Sequence, residues 1–210
     1  MPVVLCYGDS NTHGFDAASF GRLARDVRWP GVLAATLGDR WQVIEEGLNG
    51  RTTTWDDPFS EGRNGRTYLL PCLESHAPVD VVVVMLGTND TKSILRLSAA
   101  DIAGGASALV DVALASRCGP DDTAPRVLLV SPPPLGEATD DAELWGFAGQ
   151  RAKSEDLARL YAVAARQAGV AFLDAGPLAE VDPADGVHLT RAGHRSLGLA
   201  VAEAVRELLR

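Results

Sequence analysis

Lysine is nearly absent from this chain: Lys92 and Lys153 are the only two in 210 residues. The 19 basic side chains stand against 28 acidic ones, for a formal net charge of -9, and no Lys/Arg run offsets the balance. A surface of this sign makes nucleic acid and anionic membranes poor partners. No apolar stretch approaches the length needed to span a bilayer. The N-terminus has no basic n-region, and Val3 already reads as strand, so a signal peptide is not expected. Cysteine is scarce: Cys6, Cys72 and Cys118 lie far apart and form no Cys-x-x-Cys. An odd, scattered set suits buried thiols in a reducing compartment, and the cytoplasm is the expected location. Several chemical signatures are missing as well. There is no Gly-x-Ser-x-Gly elbow, no phosphate loop, no Gly-x-Gly-x-x-Gly and no His-Glu-x-x-His. His188 and His194 with Asp185 have no paired metal-ligand spacing, so no metal is expected there.

What is present alternates. At this length a single domain over residues 1–210 is expected. β-branched runs recur over Pro2 to Tyr7, Trp41 to Glu45, Val79 to Leu86, Pro125 to Ser131 and Gly169 to Asp174. The stretch VDVVVVMLG is apolar almost throughout, as in a strand buried on both faces of a parallel sheet. Between the runs, Trp29 to Leu37, Tyr68 to His76, Ala99 to Ser116, Lys153 to Gln167 and Arg191 to Leu209 carry apolar residues at helical spacing. Thr190 is placed to cap the last helix. Five strands alternating with five helices predict right-handed crossovers and a doubly wound three-layer α/β/α sandwich. The long irregular stretches, Arg51 to Thr67 and Pro132 to Arg151, are of a length that tends to carry function.

Ligands of open α/β sheets bind beyond the carboxyl ends of the strands. Here those ends read Gly8-Asp9-Ser10, then Glu46 to Gly50, then Gly87-Thr88-Asn89-Asp90, and Ser131 followed by three prolines. The loop before the last helix adds Asp185-Gly186-Val187-His188. Each piece alone is ordinary: Gly-Asp-Ser is good turn chemistry, Asn89 suits a cap, and Asp-x-x-His suits a helix start. Together they supply what acyl transfer needs. Ser10 offers a hydroxyl and, at a helix N-terminus, its own N–H; His188 offers a base and Asp185 a carboxylate to orient it. Gly50 offers an unobstructed backbone N–H and Asn89 an uncharged side-chain donor for an oxyanion.

The blocks GDS at Ser10, GLNGRTT around Gly50, GTND around Asn89 and DGVH ending at His188 resemble the SGNH subgroup of the GDSL hydrolases along essentially the whole chain. The stretches DVRWPGVLA, VIEEGLNGRTT, MLGTNDTK, VLLVSPPPL and FLDAG are most similar to the small bacterial aryl esterases, a branch that includes a mycobacterial acyltransferase. The resemblance implies a flavodoxin-like fold without cofactor or metal. It also implies a Ser10–His188–Asp185 triad and an oxyanion hole from the amides of Ser10 and Gly50 with the Asn89 side chain. It implies hydrolysis of short-acyl carboxylic esters, acyl transfer to alcohols, and a homo-oligomer.

This chain departs from the acyltransferase pattern at Asn11, His13 and Phe15, and in the acidic segment GEATDDAELWGFAG. These stretches are expected to line the acyl and alcohol pockets. With Trp55 in the other long stretch and Lys92 after the Asn89 turn, the expected substrate-contacting set is Asn11, His13, Phe15, Trp55, Lys92, Trp145 and Phe147. Trp29 and Trp41 are read as core. His76 is expected to interact with the dipole at the end of its helix. Relatives with Asn-Thr-His-Gly after the serine remove acetyl groups from carbohydrates, which is the alternative substrate class. A flavodoxin-like binding protein gripping a phosphate is the alternative outside enzymes, and the acidic balance counts against it.

Overall fold

Residues 1–210 are described by a computed structural model whose middle layer is a five-stranded parallel sheet. In chain order, β1 (Val3–Gly8) leads into α1 (Ser10–His13), then a hairpin of β2 (Phe15–Asp16) and β3 (Gly21–Arg22), α2 (Trp29–Leu37) and β4 (Gln42–Gly47). There follow α3 (Gly65–His76), β5 (Val81–Met85), α4 (Ala99–Ala115), β6 (Arg126–Ser131) and α5 (Asp140–Leu144). The chain closes with α6 (Arg151–Glu155), α7 (Leu157–Ala168), β7 (Ala171–Asp174) and α8 (Arg191–Leu208). The spatial order is β4-β1-β5-β6-β7, so the crossover reverses beside β1. The alternation predicts a doubly wound sheet and the family resemblance implies this flavodoxin-like order, whose switch point is where such folds bind ligands.

Alternation along the strands sorts the core into two layers. Leu5, Tyr7, Val82, Val84 and Leu129 pack under α3, α4 and α7. Val4, Cys6, Val81, Val83 and Val130 pack against Trp29 and Leu33 of α2 and Leu197, Val201 and Val205 of α8. The valines of β5 are buried on both faces, each burial contributing ~1.5–3 kcal/mol. All three cysteines are buried and free, Trp29 is fully buried, and Trp41 packs at the edge of the second layer.

Caps define the helix ends. Ser98 and Asp101 form a capping box on α4, and Thr190 Oγ1 accepts from Gly193 N at 2.9 Å to start α8. Asn64 accepts from Arg66 N, which starts α3 at Gly65, before the expected Tyr68. The expected helix Lys153 to Gln167 is two helices, α6 and α7, broken at Asp156. The apolar spacing carries across that break, so periodicity alone does not reveal it. The β2–β3 hairpin and α5 lie outside the expected elements; each is too short for a period to register. No helix is long and apolar enough to cross a membrane.

Gly47 fixes the approach of α1 to the sheet. A Cβ on it would fall 2.2 Å from the backbone nitrogen of His13. With glycine there, α1 rests directly on the end of β4, and Ser10 is held at the sheet's rim.

Candidate active site

Ser10 is the first residue of α1, and the Asp9 side chain caps the helix by accepting from Asn11 N at 2.9 Å. Asp9 O takes the amides of Thr12 and His13, which leaves the Ser10 N–H as the leading amide of α1 with no acceptor within the chain. Across the rim, His188 Nε2 lies 2.9 Å from Ser10 Oγ. His188 Nδ1 lies 2.6 Å from Asp185 Oδ2. The other oxygen, Asp185 Oδ1, accepts from Val187 N at 2.8 Å and His188 N at 2.9 Å. Burial pushes the Asp185 carboxyl up, but the His188 ring and these backbone donors outweigh it and hold the group below its ordinary value. An ionised Asp185 fixes the histidine tautomer with its proton on Nδ1, leaving Nε2 to accept from the serine.

The loop bearing His188 has no regular structure of its own and is tied to α1 by Asn11. Asn11 Nδ2 donates to Val187 O at 3.3 Å, and Asn11 Oδ1 accepts from Leu189 N at 3.0 Å. The side chain is buried, with both ends occupied on either side of His188. Residues far apart in sequence are thus held in register by an amide one position from the serine.

Gly50 and Asn89 come to the same rim. Gly50 sits at φ +79° in the turn after β4, a conformation that favours glycine, and its N–H has no acceptor within the chain. Asn89 begins a short 3-10 turn after β5, and its Nδ2 donates to Arg51 O at 3.1 Å. That bond uses one amide hydrogen and orients the second. Ser10, Gly50, Asn89 and His188 share the lining of one cavity of about 800 Å³. Its walls include Phe15, Phe20, Phe59, Ile94, Trp145 and Phe147. The Phe15 ring lies 4.3 Å from the His188 ring and Trp145 lies 5.8 Å from it, centroid to centroid.

This constellation on this topology is matched elsewhere. Residues 6–196 match the GDSL-like lipase/acylhydrolase family. The chain belongs to that family. It is a carboxylic ester hydrolase, which decides against the phosphate-binding alternative. Among solved structures, an aryl esterase from M. smegmatis is 46% identical with a TM-score of 0.93, covering 99% of this chain and 100% of its own. A carbohydrate acetylesterase from Sinorhizobium meliloti is 41% identical with a TM-score of 0.94, over 99% of this chain and 100% of its own. A G-D-S-L family protein from Veillonella parvula, 16% identical with a TM-score of 0.68 over 98% and 99% of the two chains, shares the fold. No protein in the curated set matches.

Within this GDSL-family hydrolase, the expected pocket residues divide. Phe15, Lys92, Trp145 and Phe147 line the cavity; Asn11, His13 and Trp55 do not. Asn11 is turned inward onto the His188 loop. His13 sits on the last turn of α1, where burial and the neighbouring Arg22 lower its pKa. Trp55 is exposed. Lys92 Nζ pairs with Asp57 Oδ2 at 3.2 Å.

Three groups lay outside the sequence reading. Arg51 is buried, donates to Gly8 O and Glu46 O, and stacks 4.2 Å from the Tyr7 ring, which clamps β1, β4 and the Gly50 turn together. Asp90 takes both the amide and hydroxyl of Thr53, anchoring the Asn89 turn. Phe20, Phe59 and Ile94 face the cavity from segments with no periodic signal. Arg51 and Asp90 were visible as members of GLNGRTT and GTND, though not their roles.

One cluster has metal-ligand residue types. Glu46, Cys72 and His76 bring donor atoms within 4.8 Å of one another. His76 Nε2 already meets Glu46 Oε1 at 3.1 Å, so its contact goes beyond the helix dipole. Burial and the Glu46 charge push the Cys72 thiol up to about 12, so it is protonated at neutral pH. His194, the other histidine near the triad, accepts from Trp29 N at Nδ1 and is fully buried. Burial lowers its pKa to about 4 and keeps it neutral.

Proposed function

We propose that this hydrolase cleaves short-acyl esters of aryl and alkyl alcohols through an acyl-enzyme on Ser10. The observation that carries the reading is the continuous chain from Ser10 Oγ through His188 to Asp185, at 2.9 and 2.6 Å, opening onto the cavity. His188 Nε2 takes the Ser10 proton as Oγ attacks the ester carbonyl. Negative charge then gathers on the carbonyl oxygen, where the amides of Ser10 and Gly50 and the free Asn89 N–H receive it. The imidazolium, stabilised by Asp185, returns its proton to the departing alcohol. Water enters, gives its proton to His188 and attacks the acyl carbon, releasing the acid and Ser10.

An alcohol can take the place of water in that second half, and the product is then a new ester. Phe15, Trp145 and Phe147 support this acyl transfer, because an apolar wall beside the base raises the local population of alcohol over water. A second reading, removal of acetyl groups from carbohydrates, is supported by the polar side chains of Asn49, Ser60 and Ser93 in the same cavity. The test of the mechanism is treatment with a fluorophosphonate followed by peptide mass mapping. A single adduct on Ser10, with loss of phenyl acetate hydrolysis, is expected. Hydrolysis that survives treatment, or an adduct elsewhere, refutes the assignment. Rates on p-nitrophenyl esters of increasing acyl length against acetylated xylose then decide between the two substrate classes.

A further inference from the structure

Four charged side chains line the cavity, and they are not equivalent. Asp57 and Lys92 neutralise each other at 3.2 Å. Glu143 stands exposed on the last part of α5. Arg63 is half-buried, and its guanidinium takes no carboxylate or carbonyl acceptor anywhere in the chain. Its backbone is nonetheless well fixed: Arg63 O accepts from Thr52 N at 2.9 Å and Thr52 Oγ1 at 3.1 Å. Its side chain lies against the oxyanion turn, since a Cβ on Gly50 would meet Arg63 Cδ and Nε at 3.4 Å.

Position on the rim decides which half of an ester the guanidinium meets. The departing oxygen must lie at His188 Nε2 to be protonated, so the alcohol portion lies along Phe15 and Trp145, which flank that ring. The carbonyl oxygen lies at Gly50 and Asn89. The acyl chain is left to run from Ser10 along the wall formed by residues 49–63, where Arg63 is the unpaired cation. A guanidinium offers a planar fork that matches a carboxylate.

We propose that the cavity is built for esters whose acyl group ends in a carboxylate, that is, half-esters of short dicarboxylic acids, with Arg63 as the residue that recognises the free carboxylate. The inference rests on the ester hydrolysis proposed at Ser10 and adds the charge of the acyl group to it.

The experiment compares ethyl hydrogen succinate with ethyl 4-methylpentanoate, in which an isopropyl group replaces the carboxylate at nearly constant shape, by pH-stat. The wild-type protein is expected to favour the succinate in kcat/KM. In Arg63→Leu the ratio of the two kcat/KM values should fall about tenfold, mostly through KM, which corresponds to ~1.4 kcal/mol. Arg63→Lys should recover part of the ratio, and added salt should erode it in the wild type. An unchanged ratio in Arg63→Leu overturns the proposal. An equal loss on both esters also overturns it, because Arg63 would then act on the oxyanion of any substrate. A parallel pair, 4-acetoxybenzoate and 4-isopropylphenyl acetate, places the carboxylate on the alcohol side. Dependence on Arg63 there and not with succinate overturns the acyl-side assignment. Failure of the wild type on every ester, phenyl acetate included, sinks the hydrolytic reading at Ser10 itself, whereas normal phenyl acetate turnover with an unmoved ratio sinks only the role of Arg63.

Discussion

Replacing Asp90 by asparagine should make the protein more stable, and only above mildly acidic pH. Asp90 has no exposed surface; both its oxygens lie 3.0 Å from Thr53 N, and Thr53 Oγ1 donates as well. Burial raises its pKa from 3.8 to about 6, the Asp9 carboxylate adds to the rise, and the Thr53 donors only partly oppose it. A carboxyl with a raised native pKa holds more protons folded than unfolded between the two values. Stability therefore falls as pH climbs from about 4 to about 6 and levels off above that. The difference of roughly two pK units, at ~1.36 kcal/mol each, makes the ionised Asp90 cost on the order of 3 kcal/mol at neutral pH. Asp9 is pushed up to about 6 as well, first by burial. Asparagine keeps the shape and an acceptor for Thr53 without the charge. Urea midpoints of wild type and Asp90→Asn, measured at intervals from about pH 4 to about pH 8 with m checked for constancy, should coincide at the acid end. They should separate in favour of the variant toward neutrality, by ~2–3 kcal/mol. A difference that is flat across that range, or a variant less stable at the alkaline end, would refute the reasoning, because the Thr53 bonds would then outweigh the burial.

Ser10→Ala and His188→Ala should each lower the initial rate on phenyl acetate by about 10³ or more, and a variant that retains a tenth of the rate removes its residue from the mechanism. Asn89→Ala should reduce kcat by about 10²–10³ with little change in KM, read from full saturation curves; a change confined to KM would make Asn89 a ground-state binder. Asn11→Ala strands Val187 O and Leu189 N, for a loss of ~1–3 kcal/mol, visible as a Tm drop of about 2–4 °C per kcal/mol. The same variant should lower kcat more than it raises KM, since it frees the His188 loop without touching substrate, and intact kcat would show that Asp185 alone holds the loop.

The sheet was legible because its physics is local. VDVVVVMLG has one stable use, and the alternation of such runs with amphipathic stretches leaves few topologies once crossovers are right-handed. Boundaries moved by up to three residues, the largest shift coming where a cap decided the start, as Asn64 did for α3. The break at Asp156 escaped because apolar spacing carries across it. The positions of Ser10, Gly50 and Asn89 were legible too, since a parallel sheet sends its strand ends to one side, and His188 precedes the helix that returns from that side. The substrate walls were not. Asn11 and His13 lie next to the serine in sequence yet outside the cavity, while Phe20, Phe59, Ile94 and Arg63 enter it from turns whose course is set by tertiary contacts.

That contrast has a physical cause in how the rim is assembled. The groups proposed to react sit at places where the backbone is over-determined: Gly47 admits α1 against β4, Arg51 ties the Gly50 turn to two strand ends, and Asp90 ties Asn89 to Thr53. Each of these constraints needs a particular residue type, so each leaves a mark in a short block of sequence. The walls need only apolar or charged surface at a given distance, which many residue types and loop paths can supply. On the proposed mechanism, ester chemistry is thereby written in the strand ends and the loop before α8, and ester choice in the two long irregular stretches and the β2–β3 hairpin. The Asn11 amide joins the two levels. It spends both ends of its side chain on the backbone either side of His188, so the proposed base stays fixed while the walls around it are free to vary.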